Sequence, residues 1–144
     1  MNLPEPRPGL VVCYSYLWWD EARRGHEEGR KDRPCVVVLA VRTVGAETRV
    51  TVAPITHSPP TSTSDAVAIP AATKIRLGLD DRPSWIVTND LNNFSWPGVD
   101  LRPTRRGAKQ CDFGVLPTAL LAEVRNRVLA TVRVGHARLT PRSE

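Results

Sequence analysis

The chain has 144 residues, of which 41% are hydrophobic and 24% charged, and this composition predicts one ordinary globular domain over 1–144, with a core at about 8–135. The net charge of +5 lies entirely in residues 100–144, which carry 9 basic and 4 acidic residues, whereas residues 1–99 carry 11 of each. The first residues have no basic, apolar leader, and the longest apolar run, 35–41, is too short to cross a bilayer, so we expect a cytoplasmic protein without membrane contact.

Three runs rich in β-branched residues occupy the first part of the chain. The segment 10–16 follows Gly9 and is predicted to be the first strand. The continuous apolar run 35–41 predicts a strand buried on both faces. The segment 49–56 alternates polar and apolar residues until Pro54, which we expect to mark an edge or an end of the strand.

The connection between the first two strands is long and charged. It spans 20–32, which exceeds a hairpin turn, and long loops of this kind are often functional. The polar stretch 58–64 is a second predicted loop. A short strand over 66–69 and a helical turn or two over 71–79 are expected to follow it.

The last part of the chain contains one more strand and a helix. Residues 84–88 are predicted to form a strand that ends beside Asn89 and Asp90. Pro117 suits a first helical turn, and Gly135 suits a helix end. Apolar residues recur every fourth position, which predicts one buried stripe of Leu116, Leu120, Val124, Val128 and Val132. On the opposite face, Glu123 and Arg127 stand four residues apart, as an ion pair requires.

The cysteines do not predict a metal site or a disulfide framework. There are three, an odd number, and Cys13, Cys35 and Cys111 are far apart without a CxxC pair. Cys13 and Cys35 lie in apolar runs, where thiols usually act as small hydrophobic side chains. We therefore expect buried structural cysteines and no metal.

With these elements in place, the sequence resembles the PemK/MazF family of toxins, which act as mRNA interferases in type II toxin–antitoxin systems. Four segments carry the resemblance in the family's order: 25–27 with 33–38, 52–56, 85–90, and 114–117 with the helix that follows. The first pairs a charged loop with an Arg-Pro and a valine strand, and the second ends in a Pro-x-Thr turn.

The resemblance implies a mainly β fold with helix (α+β), an SH3-like small barrel of the PemK/MazF/CcdB type with a C-terminal helix. It also implies a homodimer, an antitoxin partner, and a cofactor-free, metal-independent endoribonuclease that cleaves single-stranded mRNA at selected sequences and inhibits growth. Three departures are visible, and one of them is that residues 92–112 fit the family's pattern poorly. Leu10 follows Gly9 where the family usually has Gly-Asp, and Thr88 stands where relatives often carry an arginine.

Two other functions stay open. A CcdB-like toxin shares the barrel and binds gyrase, but such toxins have an aromatic residue near the C-terminus, whereas this chain ends Pro141-Arg142-Ser143-Glu144. A catalytically inactive RNA-binding or regulatory module is the second alternative, and Thr88 in place of the arginine favours it.

Four residues are candidates for the chemistry. Metal-free cleavage needs a base for the ribose 2′-hydroxyl, positive charge for the phosphorane and an acid for the 5′-oxygen. Arg33 suits the phosphorane because its planar fork fits phosphate oxygens, unless it merely pairs with Asp32 or Glu28. Thr56 offers a hydroxyl to a phosphate oxygen or to its own backbone turn. His57 can exchange protons near neutrality, with an ordinary surface histidine as its alternative. Asp90 is a candidate base, a residue that orients an arginine, or a turn-capping aspartate.

Five further residues are candidates for RNA binding. Tryptophans can stack on splayed bases, and Trp18 and Trp19 stand close to Arg23 and Arg24. The alternative is that one tryptophan caps the core and the other serves a dimer interface. His26 lies in the same charged connection and completes the set, with an ordinary surface histidine as its alternative.

Overall fold

The computed structural model describes residues 1–27, 29, 31–43, 45 and 47–142. The strands are β1 (Leu10–Tyr14), β2 (Arg33–Arg42), β3 (Thr48–Thr56), β4 (Ala66–Ala68), β5 (Trp85–Val87), β6 (Asp90–Trp96), β7 (Asp112–Val115) and β8 (Arg138–Pro141). The helices are α1 (Trp19–Arg23), α2 (Ala71–Arg76) and α3 (Thr118–Arg133). None of these helices is both long and apolar enough to span a membrane.

The strands form one mainly antiparallel sheet. Its order is β4-β5-β3-β2-β1-β7, while β6 pairs with β3 and the last strand, β8, runs parallel to β6. A mainly β fold with a C-terminal helix is therefore confirmed. The pairings among the described strands leave the sheet open, so closure into a barrel stays a prediction.

The sheet is buried on both faces because its central strands alternate between two apolar clusters. Val11, Val36 and Ile55 point to the cluster that packs under α3. Val12 and Val37 point to the other cluster, where Tyr14, Tyr16 and Phe94 supply aromatic area. All three cysteines are buried and free, as expected, and burial is the main cause that raises the pKa of Cys13 to about 11.

The prediction for β2 is right for its first half only. Cys35 to Val38 are buried, but Leu39 and Val41 are about half exposed. The pairing register with β3 shifts between Val37 and Leu39, so the C-terminal half of β2 extends beyond the part of the sheet that is buried on both faces.

Helix α3 follows the predicted stripe until its last turn. Leu120, Val124 and Val128 are buried, whereas Val132 is 53% exposed and Thr131 is buried instead. A helix turns about 100° per residue, so a four-residue spacing drifts by about 40° at each step. After three such steps from Leu120 the stripe has left the buried face, while a spacing of eleven residues returns to it.

Of the two alternatives for Pro54, a strand edge is right and a strand end is wrong, because β3 continues to Thr56. Pairing with β6 ends at Val52 and pairing with β5 begins at Ile55. Neither strand therefore requires a hydrogen bond from Pro54, which has no N–H to donate. Arg127 does not pair with Glu123, because its guanidinium donates to two backbone carbonyls at the edge of the loop before β4.

Four elements have no counterpart in the sequence prediction. They are the short helix α1, which lies inside the charged connection, and the strands β6, β7 and β8. The strand β8 is held by its parallel pairing with β6, which joins residues about fifty positions apart in the chain. Such a pairing leaves no local pattern.

Candidate functional site

The start of β2 and the end of β3 lie side by side because the two strands are antiparallel. Cys35 pairs with Pro54, so Arg33 and Thr56 come to the same edge of the sheet. β5 then pairs with the end of β3, Thr56 beside Trp85, and brings the segment before β5 to the same edge. Chemistry-bearing residues from distant parts of the chain therefore meet there.

A cleft of about 510 Å³ opens at this edge. It contains three of the four predicted catalytic residues, Arg33, Thr56 and His57, together with one of the predicted stacking residues, Trp18. Two further cations, Lys31 and Arg82, line it as well. Its remaining lining residues are Ser58, Pro59, Pro60, Thr61, Asp65, Ala66, Val87 and Asn89.

The Arg33 guanidinium is held in place by its neighbours, but not all of its hydrogen-bond donors are engaged by them. Its Nη1 donates to the carbonyl of Ile55 at 3.3 Å, and its Nε is buried without a hydrogen-bond partner among the described residues. Burial lowers the pKa of its guanidinium from the ordinary value. Of the two alternative partners, Asp32 lies 3.8 Å from Arg102, and Glu28 lies outside the described residues. Guanidinium donors therefore remain for a ligand in the cleft.

Trp18 forms a wall that orients Arg33. The guanidinium carbon lies 5.1 Å from the centroid of the indole, which is a cation–π arrangement. Tyr16 packs against the same indole in a T-shaped arrangement, at 5.0 Å between centroids. Trp18 thus packs on the core and lines the cleft as well, so both readings of this residue describe part of its position.

Thr56 makes the turn contact that was its alternative reading. Its Oγ1 accepts a hydrogen bond from the backbone N–H of Ser58 at 3.2 Å. A hydroxyl has one proton to donate in addition to its acceptor lone pairs. The turn therefore fixes the oxygen beside the cleft and leaves that proton for an acceptor.

His57 is paired with a carboxylate that sequence reasoning missed. Its Nε2 lies 2.7 Å from Oδ2 of Asp80, and about a third of its side chain is exposed. If Nε2 carries the proton that Asp80 accepts, Nδ1 is left without a proton and can act as a base. A histidine oriented by a carboxylate is a common arrangement in proton transfer.

Asp80 is itself held by Lys74, which lies on α2. The Lys74 ammonium is buried and donates to Asp80 Oδ1 at 2.7 Å, to Ser84 Oγ at 2.6 Å and to the carbonyl of Arg82. The hydrogen bond from Lys74 is the main cause that lowers the pKa of Asp80 to about 2. Asp80 is therefore an anion at neutral pH. Lys74, Asp80 and His57 form a chain of hydrogen bonds from α2 to the cleft.

The far wall of the cleft is a loop, 58–65, that is tied down at its end. Thr88 is fully buried, its N–H donates to the carbonyl of Asp65 at 2.8 Å, and its hydroxyl lies 3.5 Å from the carbonyl of Ser64. From α3, Arg127 donates to the carbonyl of Thr63. Thr88 thus holds the end of this loop in place.

Asp90 does not line the cleft. It is buried, and its carboxylate accepts the hydroxyl of Tyr16 at 2.5 Å and the backbone N–H of Trp19 at 3.3 Å. Burial raises its pKa above the ordinary value. This position suits a residue that holds the two tryptophans in place, which is closer to the capping reading of Asp90 than to a base.

The remaining predicted RNA-binding residues stand apart from the cleft. Arg23, Arg24 and His26 are exposed at the end of α1, and Trp19 is half-buried beside them. Only Arg24 reaches a neighbouring depression of about 370 Å³, which shares Trp18, Lys31 and Arg33 with the cleft. The described residues also contain no group of three or more His, Cys, Asp or Glu side chains arranged to hold a metal ion.

Comparison with known protein families gives one match. The model of the family described as PemK-like, MazF-like toxin of type II toxin–antitoxin system matches residues 15–132, which include the whole cleft. No curated protein matches the chain.

Proposed function

Because the chain belongs to the family of PemK-like, MazF-like toxins of type II toxin–antitoxin systems, we propose that it is a metal-independent, sequence-selective endoribonuclease that cleaves mRNA in the cytoplasm and inhibits growth. The observation that carries this proposal is the convergence of Arg33, Thr56 and His57 in one cleft. Arg33 and Thr56 supply donors for the phosphoryl oxygens, and His57 supplies a base.

The reaction forms a bond between the ribose 2′-oxygen and phosphorus and breaks the bond from phosphorus to the 5′-oxygen. The leaving 5′-oxygen takes up a proton from solvent water, so the products are a 2′,3′-cyclic phosphate and a free 5′-hydroxyl. Negative charge grows on the phosphoryl oxygens in the transition state, where fixed donors stabilise it most. Arg33 supplies a charged donor there, and Thr56 supplies a neutral one.

His57 is the proposed base for the 2′-hydroxyl. Its Nε2 is engaged by Asp80, so Nδ1 takes the proton, and the anion at Asp80 stabilises the imidazolium that forms. Lys31 and Arg82 add positive charge for the flanking phosphates, and Trp18 offers a face for one base. Asp80 and Lys74 act as positioning residues in this scheme.

Cleavage of a long RNA in the presence of a chelator tests the proposal. Wild type is expected to give discrete fragments with cyclic phosphate ends. Asp80→Asn should cleave at least about 10-fold more slowly, since general base catalysis contributes about 100- to 10,000-fold and depends on the correct tautomer. The apparent pKa of the base in its pH–rate profile should change. A purely structural role of Asp80 does not predict such a change.

Asp81→Asn is the matched control because Asp81 is an exposed neighbour that does not line the cleft. Absence of cleavage by wild type, together with retained RNA affinity, would favour the inactive RNA-binding alternative. Absence of both, with binding to gyrase, would favour the CcdB-like alternative.

The family implies a cognate antitoxin as partner. We also propose a homodimer, because the end of α3 exposes three large apolar side chains among the described residues. Leu129 is 49%, Val132 53% and Val134 64% exposed. Light scattering at micromolar concentration should give the mass of two chains for wild type and of one chain for Val132→Lys. A monomeric wild type would contradict the dimer, and a dimeric Val132→Lys with an unchanged melting temperature would place its interface elsewhere.

A further inference from the structure

The cleft continues into a groove that extends well beyond the proposed catalytic residues. A depression of about 210 Å³ shares Lys31, Arg33 and His57 with the cleft. A third, of about 530 Å³, shares Arg33 and Asp80 with the second. A fourth, of about 700 Å³, shares Thr104, Arg105 and Phe113 with the third. Because they share lining residues, the four depressions lie next to one another in a row from Trp18 to the loop 104–109.

The loop 104–109 has a defined shape. The N–H of Thr104 donates to the carbonyl of Gln110 at 2.9 Å, and the N–H of Ala108 donates to the carbonyl of Arg105 at 3.0 Å. Gly107 takes a positive φ of 79°, a conformation that glycine adopts without steric cost. The N-terminal segment fastens the loop from outside, since the N–H of Asn2 donates to the carbonyl of Lys109 at 2.6 Å. A ligand meeting this loop therefore finds its backbone already ordered.

The loop carries cations that the protein does not use itself. Within the described residues, Arg105, Arg106 and Lys109 are exposed and take part in no ion pair. Three other basic residues of the C-terminal third are engaged, since Arg102 and Arg142 contact Asp100 and Arg138 contacts Asp20. Cations therefore line both ends of the groove, with Lys31 and Arg82 in the cleft and Arg105 and Lys109 in the farthest depression.

The acids along the groove do not cancel this charge. Asp80 is bonded to Lys74, and Asp32 lies 3.8 Å from Arg102. Asp112 is the one acid among the described residues that line the farthest depression, against Arg105 and Lys109. Phe113 is half-buried in the wall shared by the last two depressions, so an aromatic side chain lies at this end as Trp18 does at the other.

We propose that the loop 104–109 is a second phosphate-binding subsite, which holds single-stranded RNA several nucleotides away from the scissile phosphate, with Phe113 as a stacking face. A groove lined by cations with aromatic faces is the common design for binding a single strand. This inference rests on the proposed function, because it takes the cleft as the place of cleavage. It makes the substrate an extended strand and gives the excess charge of the C-terminal third a specific task.

Fluorescence anisotropy with labelled 2′-O-methyl RNA of mixed sequence tests the subsite, because this probe lacks the attacking hydroxyl. Two probe lengths, about 4 and about 12 nucleotides, span the usual range for a single-strand site. Arg105→Ala/Arg106→Ala should weaken binding of the long probe several-fold. It should lower the slope of log K against log salt by about 1.4, since each phosphate contact to a single strand contributes about 0.7. Binding of the short probe should change little.

Arg125→Ala/Arg133→Ala is the matched control, because it removes the same charge from exposed positions on α3 that line none of these depressions. An unchanged slope in the loop variant, with an unchanged melting temperature, overturns the subsite and leaves an acidic protein segment as the loop's partner. An equal fall in both double variants overturns it too, because the effect then follows net charge. If the loop variant alone loses affinity while wild type cleaves no RNA, the subsite stands and the endoribonuclease proposal fails.

Discussion

Arg33→Ala is expected to slow RNA cleavage by about 100- to 1000-fold, because removing one preorganised donor from a site of developing negative charge typically has that effect. The donor is preorganised here in two ways. Nη1 is held by the carbonyl of Ile55, and the guanidinium lies over the indole of Trp18. Arg33→Lys should recover only part of the rate, since an ammonium keeps the charge but loses the planar fork.

Thr56→Ala sets the scale for a neutral donor in the same cleft. It removes one hydroxyl worth about 0.5–1.5 kcal/mol, so its loss of rate should be clearly smaller. Single-turnover cleavage rates and thermal melts of the three variants give the measurement, with the exposed Arg125→Ala as control. Full activity of Arg33→Ala would remove this residue from the mechanism. A large fall in melting temperature would show that Arg33 mainly supports the fold.

Arg142→Ala is expected to lower the free energy of unfolding by about 3–5 kcal/mol, the range found when one partner of a buried ion pair is removed. Only 2% of the Arg142 side chain is exposed, and its Nη2 lies 2.9 Å from Asp100 Oδ2. Its Nη1 donates to the carbonyl of Ser15 at 2.7 Å and to Asn92 Oδ1 at 3.0 Å. Truncation leaves these acceptors buried next to a cavity, where water replaces the lost hydrogen bonds only in part.

The contacts of Arg142 also lead to the cleft. Asn92 exchanges two hydrogen bonds with the backbone of Leu17, which immediately precedes Trp18. Loss of Arg142 should therefore loosen the segment that orients Arg33, so activity should fall with stability. This links the end of the chain to a site some hundred residues away.

Urea unfolding curves measure the stability change, with Arg133→Ala as the control, since an exposed substitution usually stays within about 0.5 kcal/mol. Adding Asp100→Asn to Arg142→Ala should recover part of the loss, because without Arg142 the buried carboxylate loses its contact at 2.9 Å and keeps the longer one with Arg102 at 3.6 Å. A midpoint equal to that of wild type would contradict a buried structural role for Arg142. Strictly additive losses in the double variant would mean that Asp100 is not the partner that matters.

The sequence by itself determined the elements whose pattern is local. The β-branched run of β2, the alternation in β3 and the apolar spacing of α3 each reflect burial that neighbouring residues share. It also predicted that Arg33, Thr56 and His57 share one site, and the pairing of β2 with β3 brings them to one cleft. The four-residue spacing wrongly predicted a buried Val132, because the helical turn of about 100° per residue carries this position off the buried face.

Only the tertiary structure decided which side chains complete the site and which merely support it. Asp80 stands 23 residues after His57, and Lys74 lies on a different element, so nothing in the local sequence connects them. Asp90 follows a strand, as a catalytic base can, but the hydroxyl of Tyr16 from 74 residues away holds it in the interior. Among the basic residues of the last third, burial alone separates Arg142, which ties the fold together, from Arg105 and Arg106, which face the groove. Charge can be counted along a chain, whereas desolvation and pairing depend on neighbours that only folding brings into contact.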